Sequence, residues 1–137
     1  MNKFFLDLGK QPLANNYLKK YKNNQIKYNL KLQFNIKTKL VSISKRIPSE
    51  IMFNDKYPYK SSMSKTMKKS FYELSKQIKK KFSPKLFLEI GSNDGALIKN
   101  FKKNNVIGIE PCSNLAKITK QKGFNIFNDY WNIKTAN

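Results

Sequence analysis

Leu86-Phe87-Leu88-Glu89-Ile90-Gly91-Ser92-Asn93-Asp94-Gly95, followed by Gly108-Ile109-Glu110-Pro111, decides how this chain of 137 residues is read. Residues 86–90 form an apolar run of the kind found in central parallel strands. Gly91 and Gly95 then let the chain reverse sharply while its backbone comes close to a ligand. A second apolar stretch ends at Glu110, 19 residues beyond Gly91. That distance sets a carboxylate at the tip of the next strand, where it can accept hydrogen bonds from both hydroxyls of a ribose. Strand, glycine turn, crossover and acid-tipped strand together describe a nucleoside-binding α/β half.

The turn itself narrows the choice of nucleoside. Gly91–Gly95 lacks the six-residue spacing of the dinucleotide fingerprint and carries Asp94 where a pyrophosphate would sit, and a carboxylate there repels phosphate. It suits a ligand with a cationic amino-acid end, and S-adenosylmethionine has both an ammonium and a sulfonium. On this reading Glu89, Gly91 and Gly95, with Ser92, Asn93 and Asp94 between the glycines, shape the methyl donor's pocket. Glu110 holds its ribose, and Asn128 or Asp129 approaches the adenine edge. The plainer alternative stays open, since any βαβ unit can hold glycines in its first turn and an acid at a strand end.

Composition excludes more than it assigns. Lys and Arg total 28 against 8 acids, a net charge of +20. Such a charge ordinarily raises nucleic acid or an anionic membrane. Arg46 is the single arginine, however, and arginine is the residue that reads bases and clamps phosphates bidentately. A lysine excess spread along the chain with heavy use of Asn and Ile is what an A/T-rich genome leaves on tolerant surfaces. We therefore expect neither a nucleic-acid nor a membrane partner, while acidic substrates such as nucleotide sugars would still be attracted. No apolar run reaches the roughly 18 residues of a membrane span, and Asp7 interrupts the N-terminus too early for a signal peptide, so a cytoplasmic location is expected. Cys112 is alone and histidine is absent, which removes a disulfide framework, a cysteine metal cluster and the commonest general base.

Along the chain, Leu8–Asn16 reads as a loop because of Gly9 and Pro12. Leu30, Leu32, Phe34 and Ile36 alternate with polar residues, and Leu40 and Ile43 follow a break near Lys37-Thr38, which predicts a small hairpin. Met63, Met67, Phe71, Leu74, Ile78 and Phe82 recur every three or four residues, so 62–81 should be an amphipathic helix with that stripe in the core, ended before Pro84. Then come a strand at 86–90, a helix at about 95–103, a strand at 106–110, a helix at about 114–122 capped by Ser113 and stopped by Gly123, and a strand at 124–127.

In order, Asp7-Leu8-Gly9 with Gln11-Pro12-Leu13-Ala14-Asn15, Phe53-Asn54-Asp55 with Tyr57-Pro58-Tyr59 and Ser61-Ser62, Glu89–Gly95, and Gly108–Pro111 with Ser113-Asn114-Leu115-Ala116 make four separated motifs. Together they resemble the S-adenosylmethionine-dependent C-methyltransferases that act on nucleotide-linked deoxysugars. The resemblance implies three parts: a degenerate zinc-binding-type hairpin domain with the sugar-facing segment at 1–60, an amphipathic linker helix at 61–84, and the first half of a Rossmann-like class I methyltransferase sheet at 85–137.

It also implies that Tyr57 and Tyr59 face the sugar and join the catalytic group, although the same segment can be read as a Pro-stiffened aromatic loop packed on the long helix. Zinc is expected to be absent, because Asn35 and Thr38 stand where the family's second cysteine pair would be, and neither replaces a thiolate. The family's later strands and its Tyr/His/Glu-rich catalytic segment have no counterpart here. The expectation is therefore a front half that is inactive alone, or one that binds the donor weakly or only with a partner chain supplying the rest, with much of both sheet faces uncovered.

Overall fold

A computed structural model describes residues 1–136 and shows a mixed α/β chain with two separate three-stranded sheets, one antiparallel and one parallel. The chain divides into two compact units, Met1–Met52 and the remainder from Phe53. The segment 53–60, expected to belong with the N-terminal hairpin, thus folds with the second unit, where Asn93 and Asn114 hold the carbonyls of Tyr59 and Tyr57.

In the first unit the antiparallel sheet runs β1 (Asn2–Pro12), β2 (Lys27–Asn35), β3 (Val41–Ile43), followed by a short helix α1 (Ser49–Met52). The hairpin expected from sequence is therefore two strands of a three-stranded meander. Residues 8–12, expected as loop, continue β1. Gly9 takes φ +69° and sits in a register shift between Asp7 and Lys10, so it makes a bulge without ending the strand. The Gly9 N–H donates to Asp7 Oδ1 at 2.9 Å, and this bond, together with Lys31, lowers the Asp7 pKa.

The turn between β2 and β3 is organised by Asn35. Its Oδ1 accepts from the N–H groups of Lys37 and Thr38 at 3.0 and 2.9 Å, and its Nδ2 donates to Asn2 Oδ1 at 2.8 Å. An amide thus closes the loop at one of the positions where the resemblance places zinc cysteines. No residue of this unit is fully buried, so such bonds weigh heavily in its stability. Asn35→Ala should destabilise the turn by about 1–2 kcal/mol. Amide exchange at Lys39, whose N–H donates to the Asn35 carbonyl at 2.8 Å, should then accelerate about tenfold. Unchanged exchange would show that the side chain does not hold the loop.

The second unit begins with the segment 53–60, a 3₁₀ turn at Ser61–Met63 and helix α2 (Lys65–Phe82). Ser64 caps α2 by accepting from Met67 N, and Ser83 ends it in the left-handed region. The expected core stripe is only partly inside. Met67, Phe71 and Ile78 are half-buried around Ser75, whereas Met63, Leu74 and Phe82 are exposed.

The parallel sheet has the order β4 (Phe87–Ile90), β5 (Val106–Ile109), β6 (Asn125–Phe127), with helix α3 (Ser113–Gln121) between β5 and β6 and a short α4 (Ile133–Ala136) after β6. The crossover at 95–103 is not an α-helix but two 3₁₀ turns, Ile98–Asn100 and Lys103–Asn105. Asn100 is the physical reason. Its side-chain amide donates to the carbonyls of Ala96 and Leu97, which a continuing helix would need. Cys112, not Ser113, occupies the N-cap of α3.

One face of the sheet is covered. Ile98, Val106, Ala116 and Ile126 form its core, with Phe87, Phe101 and Phe124 packed against them, and Phe87 stacks on Phe101 at 4.4 Å. The other face presents Leu88, Ile90 and Phe127, all more than two-fifths exposed. Uncovered apolar surface is thus confined to one face rather than spread over both.

Candidate functional site

Three loops leave the carboxyl ends of β4, β5 and β6, and they carry nearly all the residues singled out from sequence: Gly91–Gly95, Glu110–Cys112 and Asn128–Asp129. Hydrogen bonds tie them together. Glu110 Oε2 accepts from Asn93 N at 2.7 Å and Oε1 from Cys112 N at 2.8 Å, while Asn128 Nδ2 donates to the carbonyls of Glu110 and Pro111 at 2.8 and 3.0 Å. Glu110 is 4% exposed. Each of its oxygens accepts from one backbone donor, the Cys112 thiol also bonds to the carboxylate, and a carboxylate has acceptor capacity beyond these.

The turn shows why it needs glycine. Gly91 has φ +72° and Gly95 φ +79°, a region that side chains strain to adopt. A Cβ on Gly91 would meet nothing within 4 Å, so open space lies in front of it. On Gly95 it would come within 2.7 Å of the Thr119 methyl, so that glycine also lets α3 approach. Gly91 N and Ser92 N both donate to the Ile109 carbonyl, which fixes the turn to the end of β5.

Asp94 is buried and engaged rather than open. Ser62 donates to it from both its backbone N–H and its hydroxyl, and Asn93 Oδ1 accepts from Ser61 N while Asn93 Nδ2 donates to the Tyr59 carbonyl. Asn114 Nδ2 donates to the Tyr57 carbonyl at 2.8 Å. The structure thus brings the Tyr57–Ser62 segment onto the glycine turn by its backbone. Tyr59 is 45% exposed, and the rings of Tyr57 and Phe53 lie 5.4 Å apart. Ser61, Ser62 and Asn114 were part of the quoted motifs, but their role as ties follows only from the fold.

Three buried polar atoms lack a hydrogen-bond partner among the described residues: Glu89 Oε2, Ser92 Oγ and Asn114 Oδ1. Burial pushes the Glu89 carboxyl up to about 8, the Ile98 backbone N–H pulls it down, and the nearby Glu110 charge adds to the rise. The Cys112 thiol is pushed up to about 12, first by burial and then by Glu110, so it is no thiolate at neutral pH.

A cavity of about 600 Å³ opens on the less covered sheet face, with Leu88, Ile107, Ile109, Phe127 and Trp131 as apolar lining and Asn128 and Asp129 among its polar lining. Among the described residues no group of three or more His, Cys, Asp or Glu could hold a metal ion. No described helix is long and apolar enough to cross a membrane. No protein-family model and no curated protein matches the sequence.

Proposed function

We propose that the second unit is the donor-binding part of an S-adenosylmethionine-dependent C-methyltransferase acting on a nucleotide-linked deoxysugar, with a Rossmann-like class I sheet. The observation that carries this reading is the convergence of an open glycine turn, an acid-tipped strand and a polar pair at the carboxyl ends of three adjacent parallel strands, the place where open α/β sheets take ligands.

The residues fit the donor. Buried, unpartnered Glu89 Oε2 and Ser92 Oγ need polar partners, and the space before Gly91 admits a ligand to the backbone. Glu110 would use its remaining lone pairs for the ribose hydroxyls, held in place by Asn93 N and Cys112 N. Asn128 and Asp129, at the polar border of an apolar cavity, would meet the adenine. When bound, the donor supplies an electrophilic methyl on a sulfonium. Tyr59, anchored through its carbonyl by Asn93 of the turn, and Tyr57, anchored by Asn114 of α3, would position the sugar.

One observation favours a second reading, in which the donor binds only when another polypeptide covers the sheet: Leu88, Ile90 and Phe127 are exposed beside that cavity. Calorimetric titration of the purified chain with the donor separates the two. Saturable binding supports the first reading, and Glu110→Gln should then weaken it by about 1.5–3 kcal/mol. No binding until a covering chain is added supports the second. Saturable binding untouched by both Glu110→Gln and Ser92→Ala would place the site elsewhere.

A further inference from the structure

A cavity of about 250 Å³ in the first unit lies where the β1–β2 ladder meets the segment after β3. Lys10, Lys27, Lys45 and Arg46 line it, with Tyr28 and Asn29. Register pairs Lys10 with Asn29, and Lys27 lies two residues from Asn29 on the same strand face. Four of the eight lining residues are basic and none is acidic, against 28 basic residues in 137, so the cavity is enriched beyond the general lysine bias. The single arginine of the chain is among them.

None of these four cations has a carboxylate partner among the described residues. The two ion pairs, Lys31–Asp7 and Lys76–Glu73, lie elsewhere. All four are solvent-exposed, and cations lining one concavity without a counter-ion give it a positive field that draws in an anion. Size decides the class of anion. The cavity falls just below the roughly 300–1,000 Å³ of sites that enclose whole drug-sized ligands, so it fits a phosphate-type head with the rest of the molecule outside. A duplex is convex and cannot enter it.

We propose that this cavity binds the diphosphate group of a small molecule, with Arg46 as the bidentate clamp and Lys10, Lys27 and Lys45 as point charges. The site belongs to the first unit alone, so it stands whether or not the second unit binds a methyl donor.

The full chain would be titrated with inorganic pyrophosphate and with uridine diphosphate at about 0.15 M salt, by calorimetry and by amide chemical shifts. Saturable binding of both is expected, with shifts centred on Lys10, Lys27, Asn29 and Arg46. Arg46→Met should weaken it about tenfold, and Arg46→Lys less. Equal affinity for the two ligands marks the diphosphate itself as the recognised group, whereas binding of uridine diphosphate alone would show that the nucleoside carries recognition and overturn the assignment. The charge-matched variant Lys19→Met, in the exposed 16–24 stretch outside the cavity, should leave affinity unchanged. If it weakens binding as much as Arg46→Met, or if nothing saturates below the millimolar range, the cavity is not an anion site.

Discussion

Glu110→Ala should unfold the second unit with about 2–4 kcal/mol less denaturant work than the parent. The carboxylate is buried and accepts from Asn93 N and Cys112 N, so its loss leaves two backbone donors facing a small void with no acceptor. Both donors sit at structural joints. Asn93 holds φ +51° in the glycine turn, and Cys112 N opens the first turn of α3. Glu110→Gln keeps one acceptor oxygen and turns an amide toward the other N–H, so its cost should be smaller. Trp131, the one tryptophan of the chain, lies in this unit and reports its unfolding by fluorescence. Alanine and parent transitions that coincide would mean that Glu110 is turned to solvent and does not tie the loops.

Glu89 gives the second large effect. An unfolded glutamate ionises near 4.5, whereas the folded carboxyl is pushed up to about 8, chiefly by burial. Between those values the folded chain retains a proton that the unfolded chain has released, so folding takes up a proton and stability falls as pH rises. The slope is at most about 1.4 kcal/mol per pH unit. Below about 4.5 the group imposes no penalty, and above about 8 the full cost of the buried charge is present. Glu89→Gln should remove this slope and exceed the parent in stability at pH 8. Urea unfolding followed through Trp131 at pH 5, 6.5 and 8 measures the difference between the two proteins. Parallel pH profiles for variant and parent would show that Glu89 is ionised and solvated in the folded state.

Much of the second unit is legible in the sequence because its signals are local and consistent. The apolar runs read as strands at 86–90 and 106–110, and the helix read at about 114–122 from its stop at Gly123, match the observed Phe87–Ile90, Val106–Ile109 and Ser113–Gln121 within a residue or two. What the sequence hides are decisions made by side chains reaching across. Asn100 diverts two carbonyls and turns the expected crossover helix into 3₁₀ turns. Gly9 reads as a loop signal, yet the pairing of β1 with β2 absorbs it as a bulge. Asp94 looks like an open carboxylate in the sequence, and only the fold shows that Ser62 occupies it. Of the first site, residue types and spacing were readable. The buried Glu89 and Ser92 oxygens that lack a hydrogen-bond partner among the described residues depend on burial and have no signature along the chain.

The central claim, that the carboxyl ends of β4, β5 and β6 form the methyl donor's site, is tested most directly by amide chemical shifts of the full chain during titration with S-adenosylmethionine. Saturable shifts should centre on Gly91, Ser92, Gly95, Glu110 and Asn128. Shifts that never saturate, or that saturate only at residues away from those three strand ends, would contradict it.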